Sequence, residues 1–190
     1  MNPGENKPDI AALLRRARGG DEGAFEAIVN LYSRRIVGYC HRMVGQGAED
    51  LAQEVFVKLF LALDRLDTER PLAPFIFRIA HNHCLDALRR KKVPTVPLVK
   101  GEEEGREVQH ADEKPTPEEL AQSAEAMRAL EEALESIPAE QRSALIMWHV
   151  EGMTYEEISA TLGLPMGTIK ARIHRGREKL QQKLRGLVLR

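Results

Sequence analysis

At 190 residues, with 43% apolar and 30% charged residues, the chain has the composition of a folded protein and room for one domain or two small ones. Aromatic residues are only 5% of the chain, β-branched runs are scarce, and Ala, Leu, Glu and Arg are abundant, which weighs against a sheet and toward helices. The formal net charge of -1 disfavours a nucleic-acid partner only as a total, because the signs are segregated: Met166 to Arg190 carries eight Lys/Arg against one acid, Glu178, while Val93 to Glu125 carries nine acids against three bases.

Asp9 to Ala17 reads as a short amphipathic helix with Ile10, Leu13 and Leu14 on one side, ending at Gly19-Gly20. A second helix starts near Asp21, carries Phe25, Ile28, Val29, Tyr32 and Ile36 at helical spacing, and stops in Gly45-Gln46-Gly47. A third is predicted from Ala48 to Leu63. Its core stripe is Leu51, Val55, Leu59, Ala62 and Leu63, and Asp50, Gln53, Glu54, Val57 and Leu61 share the other side. That outer side is acidic at one end and apolar at the other. A purely solvated face rarely carries a Val and a Leu there, so a protein-docking surface is the better reading.

Asp64 to Pro74 reads as a polar loop with two prolines, and a fourth helix is predicted from about Phe75 to Lys92. Phe77, Ala80, Cys84 and Leu88 form its buried stripe, leaving Phe75, Arg78, Asn82, Asp86, Arg89 and Arg90 on the opposite side. Cations with an aromatic and an amide suit a single nucleic-acid strand, held by phosphate contacts and base stacking. A solvated helix terminus, basic because the macrodipole favours it, is the alternative. His81 and His83 lie about 200° apart on a helix, and Cys84 falls on the core stripe, so no metal site and no cofactor are expected. Cys40, His41 and Trp148 read as packing residues. The two cysteines lack CxxC spacing, as in a reducing compartment. No apolar run approaches the ~20 residues of a membrane span, and the N-terminus lacks a signal-peptide core, so a cytoplasmic protein is expected.

Lys92 to Glu118 is interrupted by Pro94, Pro97, Pro115 and Pro117 and charged by Glu102-Glu103-Glu104, which marks a flexible acidic linker. Helix resumes from about Pro117 to Ser136, breaks at Pro138, and continues to about Val150 before Gly152. Thr154-Tyr155-Glu156-Glu157 then has capping-box spacing, with Ile158 and Leu162 inward and Gly163 as the left-handed stop. Leu164-Pro165 turns into another helix, so the spacing is that of a helix-turn-helix. In its second helix Ile169, Ile173, Gly176, Leu180 and Leu184 fall on one stripe. Thr168, Ala171, Arg172, His174 and Arg175 point largely away, with Lys170 and Arg177 on the flank. A small, cationic outer face suits groove entry, and a solvated basic helix is the bland alternative.

Four segments carry a family resemblance. They are Asp21-Glu22-Gly23-Ala24-Phe25, Asp50 through Phe56, Arg78 to Asn82 with Asp86 and Arg89-Arg90, and Thr154 to Ile158 followed by Gly167 to Arg172. Together they resemble bacterial RNA polymerase sigma factors of the extracytoplasmic-function (ECF) group. The resemblance implies an all-α protein of two small helical domains joined by the linker: residues 1–92 as sigma region 2, 93–122 as linker, and 123–190 as sigma region 4 with the helix-turn-helix.

It also implies roles. Asp50, Gln53 and Glu54 would dock on the clamp helices of the polymerase largest subunit, with Val57 and Leu61 as apolar neighbours. The loop Leu66 to Leu72, with Phe75, Arg78, Asn82, Asp86, Arg89 and Arg90, would take the −10 element and its flipped bases as the duplex melts. Tyr155, Thr168, Lys170, Ala171, Arg172, His174 and Arg175 would serve the −35 element. The acidic linker would run toward the RNA exit path. Implied partners are core RNA polymerase, including its flap region, promoter DNA, and an anti-sigma factor able to hold the chain at the membrane. The family commonly has Trp at Phe75, often Ser at Ala171, and frequently an aromatic at Leu66. No enzyme is expected; a free-standing helix-turn-helix regulator and an interaction adaptor are the competing classes.

Overall fold

The computed structural model describes residues 8–92 and 117–188, so the expected linker lies outside the described residues up to position 116. The helices are α1 (Ile10–Arg18), α2 (Glu22–Val44), α3 (Ala48–Ala62), α4 (Leu72–Lys92), α5 (Pro117–Glu135), α6 (Ala139–His149), α7 (Tyr155–Leu162) and α8 (Met166–Val188), and no strand occurs among the described residues. Two aspartates start the first two helices. Asp9 accepts from the Ala12 amide at 3.0 Å and Asp21 from the Ala24 amide at 3.1 Å, each satisfying a donor that the helix itself leaves open.

The loop between α3 and α4 is shorter at both ends than the sequence suggests. α4 begins at Leu72, three residues before Phe75, because Pro74 sits in the first turn, where its missing N–H is not needed. Leu63–Arg65 form a 3-10 turn after α3, which shortens the loop to residues 66–71.

α2 is the spine of the N-terminal unit, with α1, α3 and α4 packed on it. Ile28 and Ile36 of α2, Val55 and Leu59 of α3, and Ile76 and Phe77 of α4 are fully buried. The α4 stripe is Phe77, Ala80 and Cys84 as expected, extended by Leu72, Ile76 and His81, while Leu88 is half-buried. On α3, Ala48 and Ala52 take inward places beside Val55, Leu59 and Leu63; Leu51 and Ala62 are only half-covered.

In the C-terminal unit α8 packs on α5, α6 and α7. Ile146 and Met147 of α6, Ile158 of α7, and Ile169 and Ile173 of α8 form its core. Gly176 lets α8 approach α6: a Cβ there would stand 3.3 Å from the Gln141 carbonyl. The capping box of α7 is complete, with Glu157 N–H donating to Thr154 Oγ1 at 3.1 Å and Thr154 N–H donating to the Glu157 carboxylate at 2.8 Å. Gly163 ends the helix at φ 65°. Thr154→Ala is therefore expected to destabilise this unit by about 1 kcal/mol, read as a lowered urea midpoint with an unchanged slope.

The two units share a seam. α2 packs on α5 and α6, and α4 packs on α7. The Tyr39 hydroxyl lies 2.8 Å from Ser143 Oγ, and His81 Nδ1 lies 2.7 Å from the same oxygen, with all three side chains buried. Arg35 pairs with Glu151 at 2.9 Å and lays its guanidinium over the Phe77 ring.

Candidate nucleic-acid interface

The basic helix α8 presents two faces of different character. Ile169, Ile173 and Gly176 are buried, with Leu180 and Leu184 half-covered along the same stripe. Thr168, Lys170, His174 and Arg175 are exposed, and Ala171 and Arg172 are half-buried beside them. Lys170, Arg172 and Arg175 make no ion pair among the described residues, whereas His174 lies 3.3 Å from Glu178 one turn on. Unpaired cations on an outward face keep their donors for phosphates or guanine edges. Tyr155 is more than a surface ring. It stacks on Trp148 with the planes 2° apart, and the Lys170 ammonium stands 5.6 Å from its centroid. Trp148 therefore packs against the first helix of the helix-turn-helix, and the Arg177 guanidinium lies 6.0 Å from its ring centroid.

A second set gathers on α4 and the loop before it. Arg78, Asn82, Asp86, Arg89 and Arg90 are exposed, in line with the outward face expected for them. Phe75 is half-buried and packs on the core, so only part of its ring is open for stacking. Arg89 pairs with Asp86 at 3.2 Å. Leu66 is also half-buried against the core, at the base of the loop.

Sequence reasoning passed over what holds this loop. Arg18 at the end of α1 donates from Nε to the Leu63 carbonyl at 3.1 Å and from its guanidinium to the Leu66 carbonyl. Arg15 pairs with Glu69 at 2.8 Å, and the Glu69 amide donates to Asp67 at 3.1 Å. The only sequence signal was basic residues in the last turn of α1, which the macrodipole explains equally well.

The third surface is on α3. Asp50, Gln53, Glu54, Val57 and Leu61 are all exposed, Val57 at 59% and Leu61 at 72%, with Phe60 beside them at 56%. Phe60 was not singled out in the sequence; it packs edge-on against Phe25 at 5.2 Å and widens the apolar end. Glu54 reaches His83 of α4 at 3.0 Å.

The histidines of α4 have separate partners. His83 faces Glu54, and His81 faces Ser143, where burial first, then the Arg172 and Arg89 cations, push it down to about 4 against the opposing pull of Glu140. His81 is thus neutral in this arrangement, and its ring nitrogen shares a hydrogen bond with the hydroxyl. His41 is exposed rather than packed, 3.8 Å from Glu131, while Cys40 is fully buried. Cys84 is buried beside it, and hydrogen bonding to Cys40 together with burial raises its thiol well above the usual range. No cluster of His, Cys, Asp or Glu with metal-ligand geometry occurs among the described residues. None of the described helices is long and apolar enough to cross a membrane.

Two family models match the chain: Sigma-70 region 2 over residues 28–93 and Sigma-70 region 4 over residues 127–180. The ECF RNA polymerase sigma factor SigW of Bacillus subtilis is 33% identical over 185 residues, covering 94% of this chain and 98% of the relative. Among solved structures, CnrH in complex with the cytosolic domain of CnrY superposes with a TM-score of 0.66 at 22% identity, over 94% of this chain and 99% of that one. The sigma factor RpoE in complex with the anti-sigma factor NepR, from Bartonella quintana, gives a TM-score of 0.63 at 23% identity, over 85% and 96%.

Proposed function

Since the chain belongs to the family of ECF RNA polymerase sigma factors, we propose that it joins core RNA polymerase through α3 and reads a promoter at two places, through α4 with its preceding loop and through α8. It is a promoter-directing subunit built of regions 2 and 4. The observation that carries the finer reading is that one chain presents both an exposed acidic-to-apolar face, Asp50 to Leu61, and an exposed basic face on a capped helix-turn-helix.

On α3, Asp50, Gln53 and Glu54 supply charge and hydrogen bonds to the polymerase clamp helices, while Val57 and Leu61, with Phe60, supply apolar area. An apolar patch beside directional acidic groups suits a protein partner better than DNA, whose phosphates the acids would repel. Asn82, Arg78 and Phe75, with the Leu66 loop, take the −10 strand: Arg78, Arg89 and Arg90 neutralise phosphates, and the amide of Asn82 bonds the edge of an unstacked base. Asp86, ion-paired to Arg89, orients that guanidinium. Lys170, Arg172 and Arg175 reach the −35 duplex, Thr168 and His174 bond phosphates at its rim, Ala171 permits close approach, and Tyr155 orients Lys170. Region 2 is assigned to residues 1–92, the linker to 93–122 and region 4 to 123–190.

The chain acts in the cytoplasm, and an anti-sigma factor is its regulatory partner; RpoE in complex with NepR is such a pairing in a relative of the same fold. No catalytic step is assigned to it.

Purified chain with core polymerase on a genomic fragment library should yield run-off transcripts with shared upstream sequences. Tight sequence-specific duplex binding without polymerase, and no transcript with it, would favour a free-standing regulator instead. Arg175→Ala is expected to weaken −35 use by about 1–3 kcal/mol at matched promoters if the guanidinium bonds a guanine edge. Equal loss on every −35 sequence would mark a phosphate contact.

A further inference from the structure

The loop that leads into α4, residues 66–71, has little apolar burial to hold it. Leu66 and Thr68 are half-buried, while Asp67, Glu69, Arg70 and Pro71 are exposed. What it has instead is polar bracing. Asp67 accepts from the Glu69 amide at 3.1 Å and pairs with the Arg70 guanidinium at 3.1 Å, and the Arg70 amide donates to the Asp67 carbonyl at 3.3 Å. Residues 67–70 therefore form a turn tied within itself.

Two arginines near the end of α1 fasten that turn to the rest of the N-terminal unit. Arg18 spreads its guanidinium fork over two carbonyls, donating to Leu63 from Nε at 3.1 Å and to Leu66 from Nη2. Leu63 opens the 3-10 turn that follows α3, so the Arg18 cation also meets the negative end of that helix. Arg15 pairs with Glu69 at 2.8 Å, two residues beyond Asp67. Arg16 points elsewhere, to Asp21 at 2.7 Å. Arg15 and Arg18 thus reach the loop, while Arg16 secures the start of α2.

We propose that Arg18, assisted by Arg15, is a positioning residue for −10 recognition: it holds the Leu66 to Arg70 turn in the place from which the flipped base is selected, and so sets base preference without touching DNA. This rests on the reading that the loop and α4 take the −10 strand. A pocket that reads an unstacked base by shape and hydrogen bonds discriminates only while its walls stay in place. A turn held before the base arrives also loses less of the binding energy to ordering. The phosphate contacts assigned to Arg78, Arg89 and Arg90 lie on α4 itself and do not depend on the turn. Loss of Arg18 thus lowers discrimination and leaves sequence-independent binding in place.

The test uses holoenzyme assembled from the full chain and core polymerase, on a promoter recovered from the run-off library and on copies of it changed at single −10 positions. Arg18→Met and Arg15→Met remove the two ties. Arg18→Lys keeps the charge without the fork, and Arg16→Met, on the same helix end, is the control. Transcript from each template gives the ratio of matched to changed promoters, titration with core polymerase reads association, and thermal unfolding checks the fold. The Arg15 and Glu69 side chains keep 52% and 76% of their exposure, so Arg15→Met leaves the fold intact and decides the question if Arg18→Met does not fold.

The proposal predicts that Arg18→Met lowers the matched-to-changed ratio at least about fivefold by cutting transcript from the matched promoter, with changed templates held within about twofold and polymerase association kept. Arg15→Met should move the ratio the same way by about twofold. Arg18→Lys recovers only part of the loss, and Arg16→Met keeps the wild-type ratio. A ratio unchanged by either tie's removal, equal loss on every template, or full rescue by lysine would each overturn it, the last two marking Arg18 as a phosphate contact. A wild type indifferent to every −10 change would overturn the −10 reading and this proposal with it.

Discussion

Reversing Asp50 and Glu54 together to lysine is expected to reduce association with core polymerase at least about a hundredfold while leaving the fold intact. Both side chains are exposed on α3. The only partner either has among the described residues is His83, 3.0 Å from Glu54, and the Glu54 side chain keeps 60% of its exposure there. Such a pair contributes at most about 1 kcal/mol to stability. At a docked interface, by contrast, like charges brought together cost several kcal/mol, and each 1.4 kcal/mol is a factor of about ten. Titration of labelled chain with core polymerase measures the loss, and thermal unfolding checks the fold. Glu54→Gln separates the two roles, since it keeps a hydrogen bond to His83 and removes only the charge. If the double reversal binds as tightly as wild type, α3 is not the polymerase surface.

Acidification should loosen the seam between the units through His81. The docked form holds the ring near 4, through burial and the Arg172 and Arg89 cations with Glu140 opposing, whereas a solvated histidine titrates near ~6.5. Above about pH 6.5 the ring is neutral in both forms and contributes no pH dependence. As pH falls below that, the solvated ring takes up the proton first, so the packed form loses stability progressively down to about pH 4. At about 1.4 kcal/mol per unit, the full effect is on the order of 3 kcal/mol. Urea midpoints from pH 7 to pH 5 should fall in the wild type and flatten in His81→Gln. Identical slopes in the two proteins would show that His81 is not the titrating group.

What could be read from sequence followed the range of the interactions. The capping box at Thr154, the stop at Gly163 and the Ile169-Ile173-Gly176 stripe depend on neighbours within one or two turns, and spacing alone located them. Periodicity alone starts α4 three residues late, because Pro74 has the character of a loop residue while the first helical turn accommodates it. The exposed faces of α3 and α4 were also legible, since each is the complement of a local buried stripe, although the roles given to their residues came from the family resemblance.

The seam was not legible. Tyr39 and Ser143 are 104 residues apart and His81 and Ser143 are 62 apart, and helical periodicity identifies which face is buried without identifying what it meets. His81 consequently passed as an ordinary histidine, and Ser143 and Arg142 passed unnoticed among the apolar positions of α6. In the sequence Trp148 reads as a packing residue; its stacking on Tyr155 carries it into the helix-turn-helix. Arg18 was hidden in the same way, as its partners are backbone carbonyls 45 and 48 residues on.

These pieces combine into conditional recognition of DNA, in which α8 and α4 meet their promoter elements together only when α3 is docked. Footprinting one promoter recovered from the run-off library, with the chain alone and with core polymerase present, tests this most directly. The account predicts protection of both the −35 and −10 regions with polymerase, and none with the chain alone at the same concentration. Equal protection of the −35 region by the chain alone would contradict it.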